Sequence, residues 1–315
     1  MINLQLLREA HRRIAKHIER TPVVRCDSVD NVLNGRVYFK CENLQAAGAF
    51  KSRGACNAVF SLTEEEAQLG VVTHSSGNHA AALSRAASLR GIPAFVVMPR
   101  NSRPQKIEAV KRFGGRITMC EPGLENRERT AAEVIAETGA TLIHPYDDER
   151  IIAGQGTALL ELFDEVPDLD VVMTPVGGGG LLSGTAIAAK SIRPVMEVWA
   201  GEPRGADDAY RSWKSGQFVP STDPHTIADG LLTSLGKLTF PIILEYVDQF
   251  FLASEQPIID AVHWLHRAAE LTVEPSAIVT LAALVENEVD LRGRKIGIIL
   301  SGGNFDIEQL PASAS

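Results

Sequence analysis

Cysteine is scarce in this chain, and the few cysteines form no pattern. Only four occur among 315 residues, Cys26, Cys41, Cys56 and Cys120, and no two of them make a CxxC pair. Disulfide frameworks and structural zinc sites need clustered or regularly spaced cysteines. The sequence therefore argues against both, and we expect a protein of the reducing cytoplasm.

The sequence also lacks an excess of positive charge and any long apolar run. The formal net charge is −8, with both signs interspersed, unlike the basic footprint of a nucleic-acid-binding protein. No apolar run approaches the length that spans a bilayer, and the N-terminus begins as an amphipathic helix, not as a signal peptide. We therefore expect neither nucleic acid nor membrane as a partner. With 45% hydrophobic residues, the chain can bury the cores of two lobes.

Short apolar strands alternate with helical segments along most of the chain. The predicted strands are residues 37–41, 71–73, 93–98, 116–120, 141–143, 171–173, 195–200 and 295–300. The predicted helices are 3–18, 55–62, 64–68, 80–89, 104–113, 126–138, 156–163, 181–191, 258–271 and 276–286, and the polar stretch 213–226 is predicted as loop. This run of βα units predicts an α/β fold with mostly parallel sheets. Because ligands of such sheets bind beyond the carboxyl ends of strands, we expect the loops there to share one cleft.

One lysine lies at the mouth of a predicted helix, in residues 40–54. Lys51 follows a strand and a small-residue turn. The positive end of the helix dipole, together with burial, lowers the pKa of a lysine there and frees its amine near neutral pH. A free amine is what a Schiff base requires. The alternative is a surface lysine at the start of an amphipathic helix.

Two further loops open helices with chemically suggestive residues. Residues 177–180 are four consecutive glycines, whose backbone N–H groups at a helix start suit a phosphate. They match neither a Walker loop nor the dinucleotide fingerprint, and a tight structural turn is the alternative. Residues 75–79, Ser-Ser-Gly-Asn-His, offer hydroxyls and amides to a carboxylate, and a serine there could pass a proton. Their alternative is an ordinary N-cap.

Four stretches of the sequence occur in the same order as the motifs of a known enzyme group. These stretches are residues 40–54, 75–79, 177–180 and 301–304. They resemble the pyridoxal-phosphate enzymes of the tryptophan synthase β fold type. Within that type the chain resembles the serine racemase and serine/threonine dehydratase family, with its threo-3-hydroxyaspartate ammonia-lyases. The resemblance covers nearly the whole chain, including Thr21-Pro22 and residues 144–147, 153–157 and 226–230.

This resemblance implies a two-lobed α/β fold in which each lobe has a mostly parallel sheet covered by helices. A large pyridoxal-phosphate-binding domain would comprise residues 1–69 and 146–315, and a small mobile domain would comprise residues 70–145. It further implies pyridoxal 5′-phosphate as cofactor, a small amino acid as substrate, and a homodimer.

The resemblance also implies roles for single residues. Lys51 would form the Schiff base, and Ser76 would face it across the cofactor ring. The implied cofactor contacts are Phe50 at the ring, Asn78 at the ring hydroxyl, Gly177, Gly178, Gly179 and Gly180 at the phosphate, and Ser301 at the pyridine nitrogen. The implied contacts of the substrate carboxylate are Ser75, Asn78 and His79. Because a serine does not keep the pyridine nitrogen protonated, the ring would be a weaker electron sink, which suits elimination.

An acidic loop at residues 202–208 is a candidate metal site. Its carboxylates, with a backbone carbonyl between them, suit a hard cation, although spacing alone favours a solvated acidic loop. The serine racemase branch has a divalent-cation site with this arrangement. The resemblance thus implies Mg²⁺, Mn²⁺ or Ca²⁺ at Glu202, Ala206 and Asp208, where it would order the lobe.

Two residues bear on the substrate. By itself Arg127 reads as a surface arginine, but in the serine racemase branch an arginine in this context approaches a second carboxylate of the substrate. Ser234 matches a substrate-side serine of the same branch. A bidentate arginine is the natural partner of such a carboxylate, which makes 3-hydroxyaspartate a candidate beside serine and threonine.

The resemblance therefore implies a lyase that removes water and ammonia from a β-hydroxy amino acid. The alternatives are a serine racemase with side elimination activity, a β-replacement synthase and a non-enzymatic phosphate-binding module. Tyr146 and Ala81 depart from the animal serine racemases, so we expect elimination to exceed racemisation and no activation by ATP.

Overall fold

Two β-sheets organise the fold of this computed structural model, which describes residues 2–313. The strands are β1 (Val23–Val24), β2 (Arg36–Lys40), β3 (Val71–His74), β4 (Ala94–Pro99), β5 (Arg116–Cys120), β6 (Thr141–Leu142), β7 (Val171–Pro175), β8 (Glu197–Pro203), β9 (Gln249–Ala253) and β10 (Lys295–Ile299). The helices are α1 (Leu4–Ile14), α2 (Asp27–Leu33), α3 (Lys51–Phe60), α4 (Glu64–Leu69), α5 (Asn78–Arg90), α6 (Pro104–Arg112), α7 (Leu124–Thr138), α8 (Glu149–Glu165), α9 (Gly180–Ile192), α10 (Asp208–Ser215), α11 (Thr239–Tyr246), α12 (Glu255–Ala269) and α13 (Pro275–Glu286).

The larger sheet has six strands in the order β1-β2-β10-β7-β8-β9. All its neighbouring strands are parallel except β1, which pairs with β2 in the antiparallel sense. The smaller sheet has the order β5-β4-β3-β6 and is parallel throughout. The predicted α/β class with two mostly parallel sheets is confirmed.

Both faces of the larger sheet are covered, as its apolar strands require. Side chains alternate along β7: Val171 and Met173 belong to an apolar cluster with α2, α12 and α13, whereas Val172 belongs to a second cluster with α1, α8 and α9. All five residues of β7 are buried. This central strand therefore ends deep in the molecule, and the loop that follows it is held on all sides.

The smaller sheet carries α5, α6 and α7, all drawn from residues 71–142. Ion pairs join this unit to the larger one, because Asp229 accepts from Lys106 at 2.7 Å and lies 3.6 Å from Arg103. The mobility of the smaller unit and the exact domain bounds stay predictions.

The structure differs from the sequence prediction at several elements. Strands β1 and β9 and helices α2 and α11 were not predicted, and α1 ends at Ile14, four residues early. Helix α8 begins at Glu149, seven residues early, because the Asp148 side chain caps it by accepting the N–H of Arg150 at 2.8 Å. The predicted loop 213–226 is wrong in its first residues, since α10 continues to Ser215.

The loops that carry the sequence motifs meet where parallel strands end. The stretch after β2 contacts the stretch after β10, since Phe50 donates its N–H to the carbonyl of Ser301 at 3.0 Å and Ala49 bridges Gly302. The loops after β3 and β7 open onto the same space. In the part of the chain that the structure describes, no helix is both long and apolar enough to cross a membrane.

Candidate active site

A cleft of about 480 Å³ lies between the two sheet units and collects the predicted site residues. Its walls include Lys51, the loop 75–79, the four glycines and Ser301. Arg127 and Ser234 line it as well. The structure thus brings together every predicted residue of the cofactor and substrate sites, and leaves the three predicted metal residues outside the cleft lining.

Lys51 is the first residue of α3 and points into the cleft. Its Nζ donates a hydrogen bond to the carbonyl of Pro145 at 2.8 Å and lies 5.0 Å from the centre of the Phe50 ring. Burial lowers the pKa of Lys51 to about 8. Roughly a tenth of this amine is therefore uncharged at pH 7, far more than for an ordinary lysine, and this fraction can act as a nucleophile or base.

A buried ion network fixes the start of α3, two residues beyond the lysine. Arg53 is fully buried and bridges two carboxylates: it donates to Glu42 at 2.7 Å through Nε and Nη2, and to Glu161 at 2.7 and 2.9 Å. Lys40 contacts Glu161 at 2.8 Å. A buried arginine is stable only when paired in this way. No local sequence pattern indicates this network, since Glu161 lies 108 residues from Arg53.

The four glycines form a cradle of backbone amides at the start of α9. Gly179 has φ +86°, a conformation that favours glycine, and a Cβ on Gly178 would lie 2.3 Å from the ring of Tyr146. Among the described residues, none of the amides at 177–180 donates a hydrogen bond to another part of the chain. Four unpaired donors at the positive end of a 13-residue helix suit a phosphate, so the residues present fit pyridoxal phosphate.

The loop 75–79 opens α5 with its backbone facing the cleft. Ser75 and Ser76 are half-buried, and no atom would crowd a Cβ on Gly77. His79 is buried, and its Nε2 lies 3.3 Å from the carbonyl of Ile143. Burial, and then the charge of Lys51, hold the pKa of His79 well below its usual range. A neutral imidazole brings no charge to a carboxylate, so His79 can serve one only through hydrogen bonds.

Asn78 is held by Asn304, from the predicted stretch 301–304, and by Glu274, which the sequence did not single out. Its Nδ2 donates to the Glu274 carboxylate at 2.9 and 3.1 Å, and its Oδ1 accepts from Asn304 Nδ2 at 3.0 Å. Asn304 also donates its backbone N–H to Glu274 at 3.0 Å. Burial raises the pKa of Glu274. Glu274 precedes α13 without any motif, so only the three-dimensional contact, 196 residues away in sequence, reveals it.

Arg127 and Ser234 both line the cleft and come from different parts of the chain. Arg127 is half-buried on α7, and within residues 2–313 no carboxylate forms an ion pair with it. After burial, its charge is the main factor that lowers the pKa of His74. The Oγ of Ser234 accepts the N–H of Ser221 at 2.8 Å. Arg127 is therefore a cation in the cleft without a partner of its own.

The acidic loop lies behind the cleft, between β8 and α10. Glu202 is buried and accepts the N–H groups of Ala209 at 3.0 Å and Tyr210 at 2.8 Å. Asp208 is buried too, and neither of its oxygens has a partner at full hydrogen-bond geometry among the described residues. The nearby Ser221 hydroxyl nevertheless offsets part of the effect of burial on the pKa of Asp208. Burial raises the pKa of Asp208 to about 6 and that of Glu202 well above its usual range.

Such an unpartnered buried carboxylate is costly unless a cation or proton meets it. Ala206, the third predicted ligand, lies between these two carboxylates in the sequence and is also buried. Across the described chain no group of three or more His, Cys, Asp or Glu side chains could hold a metal ion. Any cation here would rely on two carboxylates and a backbone carbonyl.

The sequence and fold of this chain are similar to those of known proteins. The model of the family described as "Pyridoxal-phosphate dependent enzyme" matches residues 14–302. The chain is 47% identical to a beta-hydroxyaspartate dehydratase of Paracoccus denitrificans, over 96% of both proteins. It is 42% identical to an L-threo-3-hydroxyaspartate ammonia-lyase of Saccharomyces cerevisiae, over 96% of this chain and 93% of the relative. The crystal structure of the serine racemase of Dictyostelium discoideum superposes with a TM-score of 0.93 at 48% identity, covering 97% of this chain and 99% of that one.

Proposed function

Since the chain belongs to the pyridoxal-phosphate dependent enzyme family, we propose that it is an ammonia-lyase acting on a β-hydroxy amino acid. The reaction first removes water from the amino acid to give an enamine. Water then hydrolyses the imine form of this product, which releases ammonia and leaves a 2-oxo acid, so that ammonia is the only net loss. Two relatives that match nearly the whole chain are named for this chemistry on hydroxyaspartate. 3-Hydroxyaspartate is the preferred substrate in this proposal, ahead of serine and threonine.

Pyridoxal phosphate, when bound, supplies an electron sink for the negative charge that develops at the substrate Cα. The chain's own residues bind and orient it. Lys51 would provide the amine that attaches the cofactor, the amides of residues 177–180 would hold its phosphate, and Phe50 would lie beside its ring. Asn78, fixed by Glu274, would meet the ring hydroxyl, and Ser301 would meet the pyridine nitrogen.

Lys51 is also the base that removes the α-proton. Its pKa of about 8 places a free amine at the substrate Cα near neutral pH. The amides and hydroxyls of Ser75 and Ser76, with Asn78 and His79, orient the substrate carboxylate at the start of α5. With Cα held over this amine, loss of the β-hydroxyl completes the elimination.

The observation that carries the choice of substrate is the unpartnered cation in the cleft. Arg127 is half-buried and forms no ion pair with any described residue, so its guanidinium is available to a second substrate carboxylate. Serine and threonine have no such carboxylate, whereas 3-hydroxyaspartate does. Ser234 also lines the cleft and would contribute a hydroxyl to the bound substrate.

Serine racemisation is the second candidate, and the position of Ser76 favours it. Ser76 is half-buried and lines the cleft with Lys51, so a proton could be removed on one face of Cα and returned on the other. Serine racemases are also among the matched relatives. In this alternative elimination is a side reaction, and L-serine yields D-serine.

Three finer features complete the proposal. Glu202, Asp208 and the carbonyl of Ala206 hold a Mg²⁺, Mn²⁺ or Ca²⁺ ion that orders the loop without taking part in the chemistry. The enzyme is a homodimer, as its resemblance to serine racemases implies. It works in a reducing cytoplasm, which suits its four free buried cysteines.

The Arg127→Ala variant tests the substrate assignment. We expect kcat/KM for 3-hydroxyaspartate to fall about 10- to 100-fold, the worth of a charge-assisted hydrogen bond, while kcat/KM for L-serine changes little. Release of ammonia and of the 2-oxo acid measures both, using the threo and erythro isomers, with Mg²⁺ and with EDTA.

Arg129→Ala is the matched control, because Arg129 lies on the same helix, is exposed and, among residues 2–313, donates a side-chain hydrogen bond to Asn126 alone. It should leave both rates unchanged. Equal losses for both substrates in Arg127→Ala would contradict the assignment and return Arg127 to a structural role. Accumulation of D-serine with little ammonia would move racemisation to first place.

A further inference from the structure

The segment 144–147 runs along the cleft beside the reactive lysine, yet the proposed function gives it no chemical task. The carbonyl of Pro145 accepts the hydrogen bond of Lys51 at 2.8 Å. The Tyr146 ring packs directly against Gly178, where a Cβ would lie 2.3 Å from it. This segment is therefore fixed between the amine and the glycine cradle, and its first side chain, His144, lines the same space.

The hydrogen bonds of His144 determine which of its ring nitrogens carries a proton. Its Nδ1 accepts the backbone N–H of Asp147 at 2.9 Å and lies 3.4 Å from that of Tyr146. A nitrogen that accepts cannot carry a proton, so in the neutral ring the proton is on Nε2. Burial lowers the pKa of His144 to about 4, with the neighbouring His74 as a smaller cause. The ring is thus a neutral donor through Nε2 at physiological pH.

This donor has no partner within the described chain. Nε2 of His144 forms no hydrogen bond with any described residue. It is also not one of the fully buried polar atoms that lack a partner, so it is open to solvent. His144 lines the same cleft as Lys51, and its sequence neighbour Pro145 accepts the hydrogen bond of the Lys51 amine at 2.8 Å. A free N–H donor is therefore available beside the reacting amine.

Neighbouring polar side chains are less suited to this position. The buried His79 turns its Nε2 to the carbonyl of Ile143 at 3.3 Å, and His74 is 5% exposed. Tyr146 lies against Gly178 and Gly180, at the phosphate end of the cleft. His144 is the cleft-lining ring beside Lys51 whose proton position is fixed by backbone contacts and whose donor is free.

We propose that His144 donates a hydrogen bond from Nε2 to the β-hydroxyl oxygen of the substrate as that oxygen leaves. This inference rests on the proposed elimination. The Cβ–O bond breaks and its electron pair goes to oxygen. The proton that Lys51 took from Cα passes to this oxygen, so that water departs with the atoms of one hydroxyl and one proton. His144 stays neutral throughout and stabilises the charge that develops on the oxygen.

Two variants separate this donor from the structural role of the ring. In His144→Asn, Oδ1 can replace Nδ1 as acceptor for the Asp147 amide, and the Nε2 donor is lost. In His144→Gln, the side-chain amide reaches the position of Nε2, and the Nδ1 acceptor is lost. Both are measured as holoenzymes, with the visible spectrum of the bound cofactor as a check on its placement.

The leaving group supplies the decisive comparison. Chloride departs without the help of a hydrogen-bond donor, whereas hydroxide does not. For His144→Asn we expect kcat for 3-hydroxyaspartate or L-serine to fall about 10- to 100-fold, as for loss of a hydrogen bond to a developing charge. The rate for 3-chloro-L-alanine should change less than threefold, and His144→Gln should recover part of the rate for the hydroxy substrate.

Equal slowing of the hydroxy and chloro substrates in His144→Asn would overturn the inference, because a displaced segment slows both. An unchanged rate for both substrates would also overturn it. If the wild-type holoenzyme eliminates from neither substrate, the proposed function itself fails, and this result is distinct from either outcome for His144.

Discussion

Burial of Lys51 makes the residue reactive and at the same time costs the fold stability. Its pKa falls from 10.5 in the unfolded chain to about 8 in the cleft, because the charged form loses its hydration. Between these two values the unfolded chain binds more protons than the folded one. The free energy of unfolding therefore rises as the pH increases from about 8 to about 10.5. Below pH 8, Lys51 destabilises the folded protein by the full cost of its lowered pKa.

Lys51→Met should consequently stabilise the cofactor-free protein. At pH 7 we expect a gain of about 3 kcal/mol or less in the free energy of unfolding, from the energy equivalent of the pKa shift. The gain should shrink towards zero as the pH approaches 10.5. Urea denaturation at several pH values measures it.

Lys237→Met serves as control, because the Lys237 side chain is exposed and should show no such pH-dependent gain. A Lys51→Met variant that is less stable than wild type at pH 7 would mean that contacts of the amine, such as its bond to Pro145, outweigh its desolvation.

At the scale of elements, the loops that follow parallel strands position the site. The acidic loop at residues 202–208 also follows a parallel strand, although it lies outside the cleft lining. Strand β8 ends at the acidic loop, and α10 begins there with Asp208. In the proposed metal site, the buried carboxylates of Glu202 and Asp208 would repel each other and lack hydration until a cation bound. A cation at this loop would therefore stabilise the β8–α10 junction.

Asp208→Asn should abolish stabilisation by Mg²⁺ without weakening the metal-free protein. With Mg²⁺ well above its dissociation constant, we expect the wild-type Tm to rise by about 2 to 4 °C, and the variant Tm to stay constant. Asp207→Asn, which removes only a surface pair with Arg211, should respond to Mg²⁺ as wild type does. Thermal unfolding with Mg²⁺ and with EDTA would contradict a metal site if the wild-type Tm were the same in both.

Local sequence patterns predicted the elements that surround the site. Those elements have a strong hydrophobic periodicity, and glycine or serine residues mark where they begin and end. Residues 177–180 and 75–79 occur where such patterns change from strand to helix. Residues 239–253, which form α11 and β9, were missed because an apolar, aromatic run with Pro241 in its first turn has no clear period. Contacts such as Arg53 with Glu161 or Asn78 with Glu274 join distant parts of the chain, and no local pattern encodes them.

At the scale of the whole molecule, function depends on two sheet units that face one cleft. The larger unit supplies the lysine and the glycine cradle, and the smaller one supplies the loop 75–79 and Arg127. The ion pairs of Asp229 with Lys106 and Arg103 join the units near the mouth of the cleft. Substrate and cofactor would therefore be enclosed by residues from both units, which excludes water from the lysine.

The most direct test incubates 3-hydroxyaspartate with the wild-type holoenzyme. It measures the ammonia released, the 2-oxo acid formed and the chirality of the remaining substrate. We expect equal amounts of ammonia and 2-oxo acid, at a kcat/KM above that for L-serine. Inversion of the substrate with little release of ammonia would contradict elimination as the main activity. It would leave a racemase built on the same cleft.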